Sequence, residues 1–161
     1  MEAIAERAGV GKATIYRWWP SKAAVAMDAI RAEIDPQIPF PDTGSAREDL
    51  RRQIAAVIEV LATETGRTYL ALIAESQHDS ALARTLAERY IAGRRAAATA
   101  VLERGIARGE LRPDLDPDIA IDAIYGAVYY RLLVSHASTG PDYADALLDE
   151  LYDTLAAHPR G

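Results

Sequence analysis

Apolar residues recur at helical spacing along almost the whole chain, and no stretch alternates apolar and polar residues for long enough to suggest a strand. The expected fold is therefore all-α. The first two helices are short. Ile4, Ala5 and Ala8 form one apolar face, and Val10, Ile15 and Trp18, at and within a second helix from roughly Lys12 to Trp18, are spaced to close over it. Gly9 falls where the first helix must stop and the chain must turn, a place where positive φ is cheap only for glycine. Ala5 then faces the crossing helix, where a larger side chain would push the two apart. Such a corner is a helix-turn-helix. A third helix, Ser21 to about Ile34, carries Val25, Ala29 and Ile30 on one face and connects this head to the rest.

The stretch Asp35 to Gly44 holds Pro36, Pro39 and Pro41 and ends on a glycine, so it is expected to be a linker. It divides the chain into a head, residues 1–34, and a body, residues 45–157. Ser45 and Glu48 have the spacing of a capping box before a helix with Leu50, Ile54, Val57, Ile58 and Leu61, expected to end at Gly66. A shorter helix from Thr68 to His78 follows. Asp79 or Ser80 can cap a long one from Ala81 to Arg108, stopped by Gly109. Asp116-Pro117-Asp118 has the form of an N-cap, a first-turn proline and an acid matched to the helix dipole. The helix it opens, Ile119 to Val134, is apolar all round and must be covered on more than one side. A last helix, Asp142 to Ala156, carries a leucine stripe, and His158 to Gly161 form a frayed tail.

The exposed face of the second helix has a different chemistry. Lys12, Ala13, Thr14, Tyr16 and Arg17 lie at or near its N-terminal end, the end that a recognition helix presents to the major groove. Thr14 can meet a thymine methyl or a phosphate, and Tyr16 can donate to a phosphate oxygen. Ser21 is a good N-cap, so Lys22 and the start of the third helix aim positive charge at the same backbone. The segment GVGKATIYRWWPSK, Gly9 to Lys22, closely resembles the helix-turn-helix signature of TetR-type transcriptional regulators. The resemblance implies that Tyr16 and Lys22 hold phosphates while Lys12, Ala13, Thr14 and Arg17 sit closest to the bases. It also implies a two-fold dimer on a palindromic double-stranded DNA operator, acting as a repressor released by a small ligand. Heads of that family have another helix before the matched segment. A chain that starts inside the helix-turn-helix is therefore expected to leave Ile4, Ala8, Ile15 and Trp18 with less cover.

Charge sharpens the division between head and body. The chain carries a net −6, yet over residues 1–34 five cations (Arg7, Lys12, Arg17, Lys22, Arg31) face four acids (Glu2, Glu6, Asp28, Glu33). Both lysines of the chain lie in the helix-turn-helix. An acidic body with a mildly basic head suits a local nucleic-acid footprint. No run of about 18 apolar residues suggests a membrane span, and no leader precedes the first helix, so a cytoplasmic location is expected. The absence of cysteine excludes disulfides, thiolate catalysis and cysteine-based zinc sites.

Enzymatic chemistry finds no support. Ser76, His78 and Asp79 have the residue types of a triad but fan outward at a helix end. The three histidines lack a partner at ligand spacing, and Gly11-Lys12 fails the phosphate-loop pattern, so neither a metal nor a cofactor is expected. Tyr69, Leu72, Tyr90, Tyr125 and Tyr129 are placed to line a cavity between helices for a small, largely apolar effector. Residues from about Tyr69 to Leu133, ending ARGELRPDLDPDIAIDAIYGAVYYRLL, resemble the ligand-binding body of one TetR branch. A homodimer is expected from Ile121, Ile124, Val128 and Leu132 on one helix and Leu147, Leu148 and Leu151 on the last. Two readings stay open: a dimeric DNA-binding regulator, or a dimeric ligand- or partner-binding protein whose head does not bind DNA.

Overall fold

The computed structural model describes residues 2–19, 21–140 and 142–157; the expected tail at His158 to Gly161, and the side chain of Ile4, lie outside the described set. Among the described residues there are nine α-helices: α1 (Glu2–Ala8), α2 (Lys12–Trp18), α3 (Lys22–Ile34), α4 (Ala46–Leu61), α5 (Glu64–Ser76), α6 (Ser80–Leu86), α7 (Ala92–Ala107), α8 (Pro117–Leu133) and α9 (Tyr143–Leu155). No strand occurs among them, and the β pairing is one isolated bridge, Leu111 with Ala156. The chain is all-α. No helix among the described residues is long and apolar enough to cross a membrane.

The local signals place the helix ends. At the end of α1, Gly9 has φ +64°, its N–H bonds to the Glu6 carbonyl and Val10 N–H bonds to the Ala5 carbonyl. That is the Schellman arrangement, which satisfies two orphan carbonyls at once. Gly109, at φ +75°, repeats it after α7 with Glu110 N–H on the Gly105 carbonyl. Ser21, Asp79 and Asp116 accept backbone N–H bonds as N-caps of α3, α6 and α8. The box at Ser45 closes from one side. Its hydroxyl accepts from Glu48 N–H at 3.4 Å, while Glu48 turns outward to Arg51 and Arg52. Those two guanidiniums hold the Glu48 carboxyl well below the usual carboxylate range, at about 2.

Two helix boundaries differ from expectation. Gly66 does not stop α4; it lies in the first turn of α5, behind a Thr63 cap. A Cβ there would sit 2.1 Å from the Val60 carbonyl oxygen, so glycine is required because α5 starts against the end of α4. The long helix does run from Ser80 to Ala107, but a π-helical turn at Ala87–Ile91 divides α6 from α7. The Asp35 to Gly44 linker is pinned rather than loose. It begins with a 3-10 turn, Asp35–Gln37, and buries Ile38. Arg94 donates to the Ile38 carbonyl at 2.7 Å, and Arg104 to that of Pro41 at 3.0 Å. Asp49, fully buried on α4, accepts from both the N–H (2.8 Å) and the hydroxyl (2.7 Å) of Thr43.

α4 lies at the centre of the body, packed against α5, α7 and α9, while α8 covers α7 and α9. α3 leaves the head and packs on α5, α6 and the π turn, which joins head to body through Met27, Ile30 and Ile34. Burying each such side chain contributes about 1.5–3 kcal/mol. This junction is part of the same core as the body.

Candidate DNA-binding surface and ligand cavity

Within the head, Ala5 and Ile15 are buried, as the two-helix corner requires. Val10 and Trp18 are not, at 43% and 63% exposed, and Ala8 is exposed too. The expectation that Val10 and Trp18 close the corner is therefore corrected. Lys12, Ala13, Thr14, Tyr16, Arg17 and Lys22 are all exposed. Two of the cations are engaged within the head: Lys12 bonds to Glu2, and the Arg17 guanidinium lies 5.5 Å from the Trp18 ring centroid. Trp19 behaves differently from its neighbour. It is half-buried, and its indole N–H donates to Asp28 Oδ2 at 2.7 Å.

Asp28 links the head to the body. The oxygen that accepts from Trp19 also lies 3.3 Å from Arg89 Nη1, and Arg89 Nη2 reaches the Trp18 carbonyl at 3.5 Å. Arg89 belongs to the π turn. The end of α2, the middle of α3 and the π turn thus meet at one carboxylate.

Beside the π turn, which contributes Tyr90 and Ile91 to its wall, is a cavity of about 230 Å³. Tyr69, Tyr90, Tyr125 and Tyr129 all line it, together with Ile34, Phe40, Gln53, Val57, Arg94 and Ile121 among others. Leu72 does not. It packs half-buried against the core and is not part of the cavity wall, so its place in the cavity is corrected. The Tyr69 and Tyr90 rings are 4.8 Å apart and tilted by 52°. Tyr69 and Tyr129 hydroxyls are 3.4 Å apart, and Tyr125 donates to Gln53 Oε1. Burial pushes all four tyrosine hydroxyls above their ordinary pKa, opposed in each case by the positive charge of Arg94. They remain neutral donors and acceptors. Gln53 and Phe40 were not foreseen, because nothing in a sequence marks a polar residue on an otherwise apolar helix face, or one aromatic in a linker, as part of a cavity wall.

The side chains expected at a dimer contact divide in two. Ile121, Ile124, Val128 and Leu148 are at most 4% exposed in the single chain, so they belong to its own core and have no surface left for a partner. This corrects their assignment. Leu132, Leu147 and Leu151 are half-buried. The side of α8 that stays open carries Ile119, Ala123, Gly126 and Tyr130, spaced three or four apart, and continues to Val134. Near the end of α5, Ser76 donates to the Ile73 carbonyl while His78 is exposed, and Asp79 is occupied as a cap.

Two family models match the chain. Residues 1–29 match the family described as bacterial regulatory proteins, tetR family, and residues 40–151 match the tetracyclin repressor-like C-terminal domain. The uncharacterized HTH-type transcriptional regulator YdeS of Bacillus subtilis (strain 168) is 40% identical over 151 residues, covering 94% of this chain and 74% of that protein. Rv1556 of Mycobacterium tuberculosis (strain ATCC 25618 / H37Rv), also an uncharacterized HTH-type transcriptional regulator, is 29% identical over 154 residues, with the same two coverages, 94% and 74%. The crystal structure of the TetR family transcription regulator SCO0332 superposes with a TM-score of 0.89 at 38% identity, covering 96% of this chain and 86% of that one. The chain belongs to the TetR family of helix-turn-helix transcriptional regulators, non-enzymatic proteins that bind operator DNA and ligands and act as dimers.

Proposed function

We propose that this regulator is a cytoplasmic repressor, released from a palindromic operator by a small, largely apolar effector. Residues 1–34 form the DNA-binding head and residues 45–157 the ligand-binding and dimerisation body. In the head, Tyr16 and Lys22 hold phosphates; Lys12, once parted from Glu2, reads the major groove with Ala13, Thr14 and Arg17. In the body, Tyr69, Tyr90, Tyr125 and Tyr129 surround the effector. The dimer is a four-helix bundle of α8 and α9 from two chains, with Ile119, Ala123, Gly126 and Tyr130 at the contact. Small residues there let the helices approach closely.

The observation that carries this reading is the position of the π turn. It supplies a wall of the cavity through Tyr90 and an anchor for the head through Arg89. Two heads must reach successive major grooves about 34 Å apart, so a modest rotation of α3 relative to the body spoils the register. An effector that prefers the rotated state then lowers operator affinity, and one that prefers neither state changes nothing. The test is selection of bound sequences from a random duplex pool. Enrichment of a palindrome supports the operator reading, whereas a pool that stays random favours a ligand-binding protein with a silent head.

A further inference from the structure

Gln53 sits in the third turn of α4, is 1% exposed and forms part of the cavity wall. Its Oε1 accepts the Tyr125 hydroxyl proton. Its Nε2 is buried and has no hydrogen-bond partner among the described residues. A buried amide donor without an acceptor is destabilising. The unmet donor therefore points to a molecule that supplies the acceptor.

The surrounding charges restrict what that molecule can be. Arg95 is held between Asp118 at 2.7 Å and Asp122 at 2.6 Å. Asp122 is the acid among the lining residues, and it is already occupied by this pair. Arg94 stacks 4.2 Å from the Phe40 ring centroid, donates to the Ile38 carbonyl and has Asp35 at 3.9 Å. An ammonium group entering the cavity would find no free carboxylate among the described lining residues and would face the Arg94 guanidinium, and a carboxylate group would compete for Arg94 with Asp35, whose buried Oδ1 already lies 3.9 Å from it without a hydrogen bond. Burying an unpaired charge of either sign is strongly unfavourable. At about 230 Å³ the cavity is also smaller than the roughly 300–1,000 Å³ of drug-sized sites.

We infer that the cavity selects an uncharged, apolar molecule of one or two rings bearing a hydrogen-bond acceptor oxygen, such as an aryl ketone, with that oxygen on Gln53 Nε2. The inference rests on the reading of this cavity as the effector site and specifies the class of effector. Tyr125 acts as a positioning residue, because its hydroxyl donates to the Gln53 oxygen and leaves Nε2 as the unpartnered end of the carboxamide.

The test is a ladder of four naphthalenes titrated against the full chain by calorimetry: acetylnaphthalene, ethylnaphthalene, naphthoate and naphthylmethylammonium. The ketone should bind about tenfold tighter than the ethyl compound, as one added hydrogen bond to a buried donor allows. Both ions should bind more weakly than the ketone. Gln53→Leu should remove the ketone's advantage while keeping ethylnaphthalene binding. Equal affinity of the ketone and ethyl compounds for the unmodified chain would overturn the inference yet leave the cavity as an apolar site, and this comparison does not depend on any variant folding. Either ion binding as tightly as the ketone would overturn it too. Absence of binding by all four would overturn both the inference and the effector-site reading.

Discussion

Arg89 and Tyr90 are consecutive residues of one π-helical turn, and they serve different partners. The Arg89 guanidinium lies 3.3 Å from Asp28 on α3, while the Tyr90 ring lies tilted 4.8 Å from that of Tyr69 in the cavity wall. A π turn inserts a residue into the helical register and is frequent at functional sites. Here it links the wall of a cavity to the anchor of the head with no intervening residue.

Arg89→Ala is expected to separate ligand binding from DNA release. Affinity for an effector should stay within about twofold, because Arg89 does not line the cavity. The ratio of operator affinities with and without effector should fall toward one, from the five- to 150-fold or so typical of allosteric coupling. Fluorescence anisotropy on a labelled operator measures this ratio. An unchanged ratio would show that coupling runs elsewhere.

Lys22→Ala and Tyr16→Phe should weaken binding to every DNA sequence alike, because both side chains are assigned to phosphates. Lys22→Ala should also reduce the slope of log affinity against log salt by about 0.9. Thr14→Ala should instead change which sequence is preferred, by about 1–3 kcal/mol at the affected base pair. A Lys22→Ala protein with altered preference and intact affinity would sink the assignment.

Val128 and Ala123 lie on opposite sides of α8, so the same charge should act differently at each. Val128→Asp places a carboxylate at a fully buried position and should unfold the chain. Ala123→Asp, on the exposed side, should leave helicity intact but yield monomers in light scattering at micromolar concentration. Ala123→Asp that remains dimeric would move the contact off this face.

Gly66→Ala should destabilise the protein although alanine is the better helix former. Its Cβ would lie 2.1 Å from the Val60 carbonyl oxygen and 2.5 Å from Leu61 Cα, and backbone cannot yield as a side-chain tip can. We expect a loss of about 1–3 kcal/mol in urea denaturation. Gly93→Ala is the control. Nothing lies within 4 Å of a Cβ at Gly93 on α7, so alanine should gain about 0.5–1 kcal/mol there.

What could be read from the sequence alone was whatever is decided within a few residues. The Schellman turn at Gly9, the caps at Ser21, Asp79 and Asp116, and the helical period of the body all depend on hydrogen bonds and side chains at most about five positions apart. The exposed polar face of α2 was legible for the same reason, since a seven-residue helix with Ile15 buried has one side left. Contacts between distant residues set the rest. α8 is apolar all round, so its period could not say that Ile124 and Val128 turn inward while Ile119 and Tyr130 stay outside. Trp18 is spaced to close over the corner from the second helix, yet the fold leaves it open and buries part of Trp19 on Asp28 instead. Gln53 meets Tyr125 across 72 positions, and Arg89 meets Asp28 across 61. Pairings at that separation are fixed by how helices pack as rigid bodies, and no local propensity encodes which faces meet.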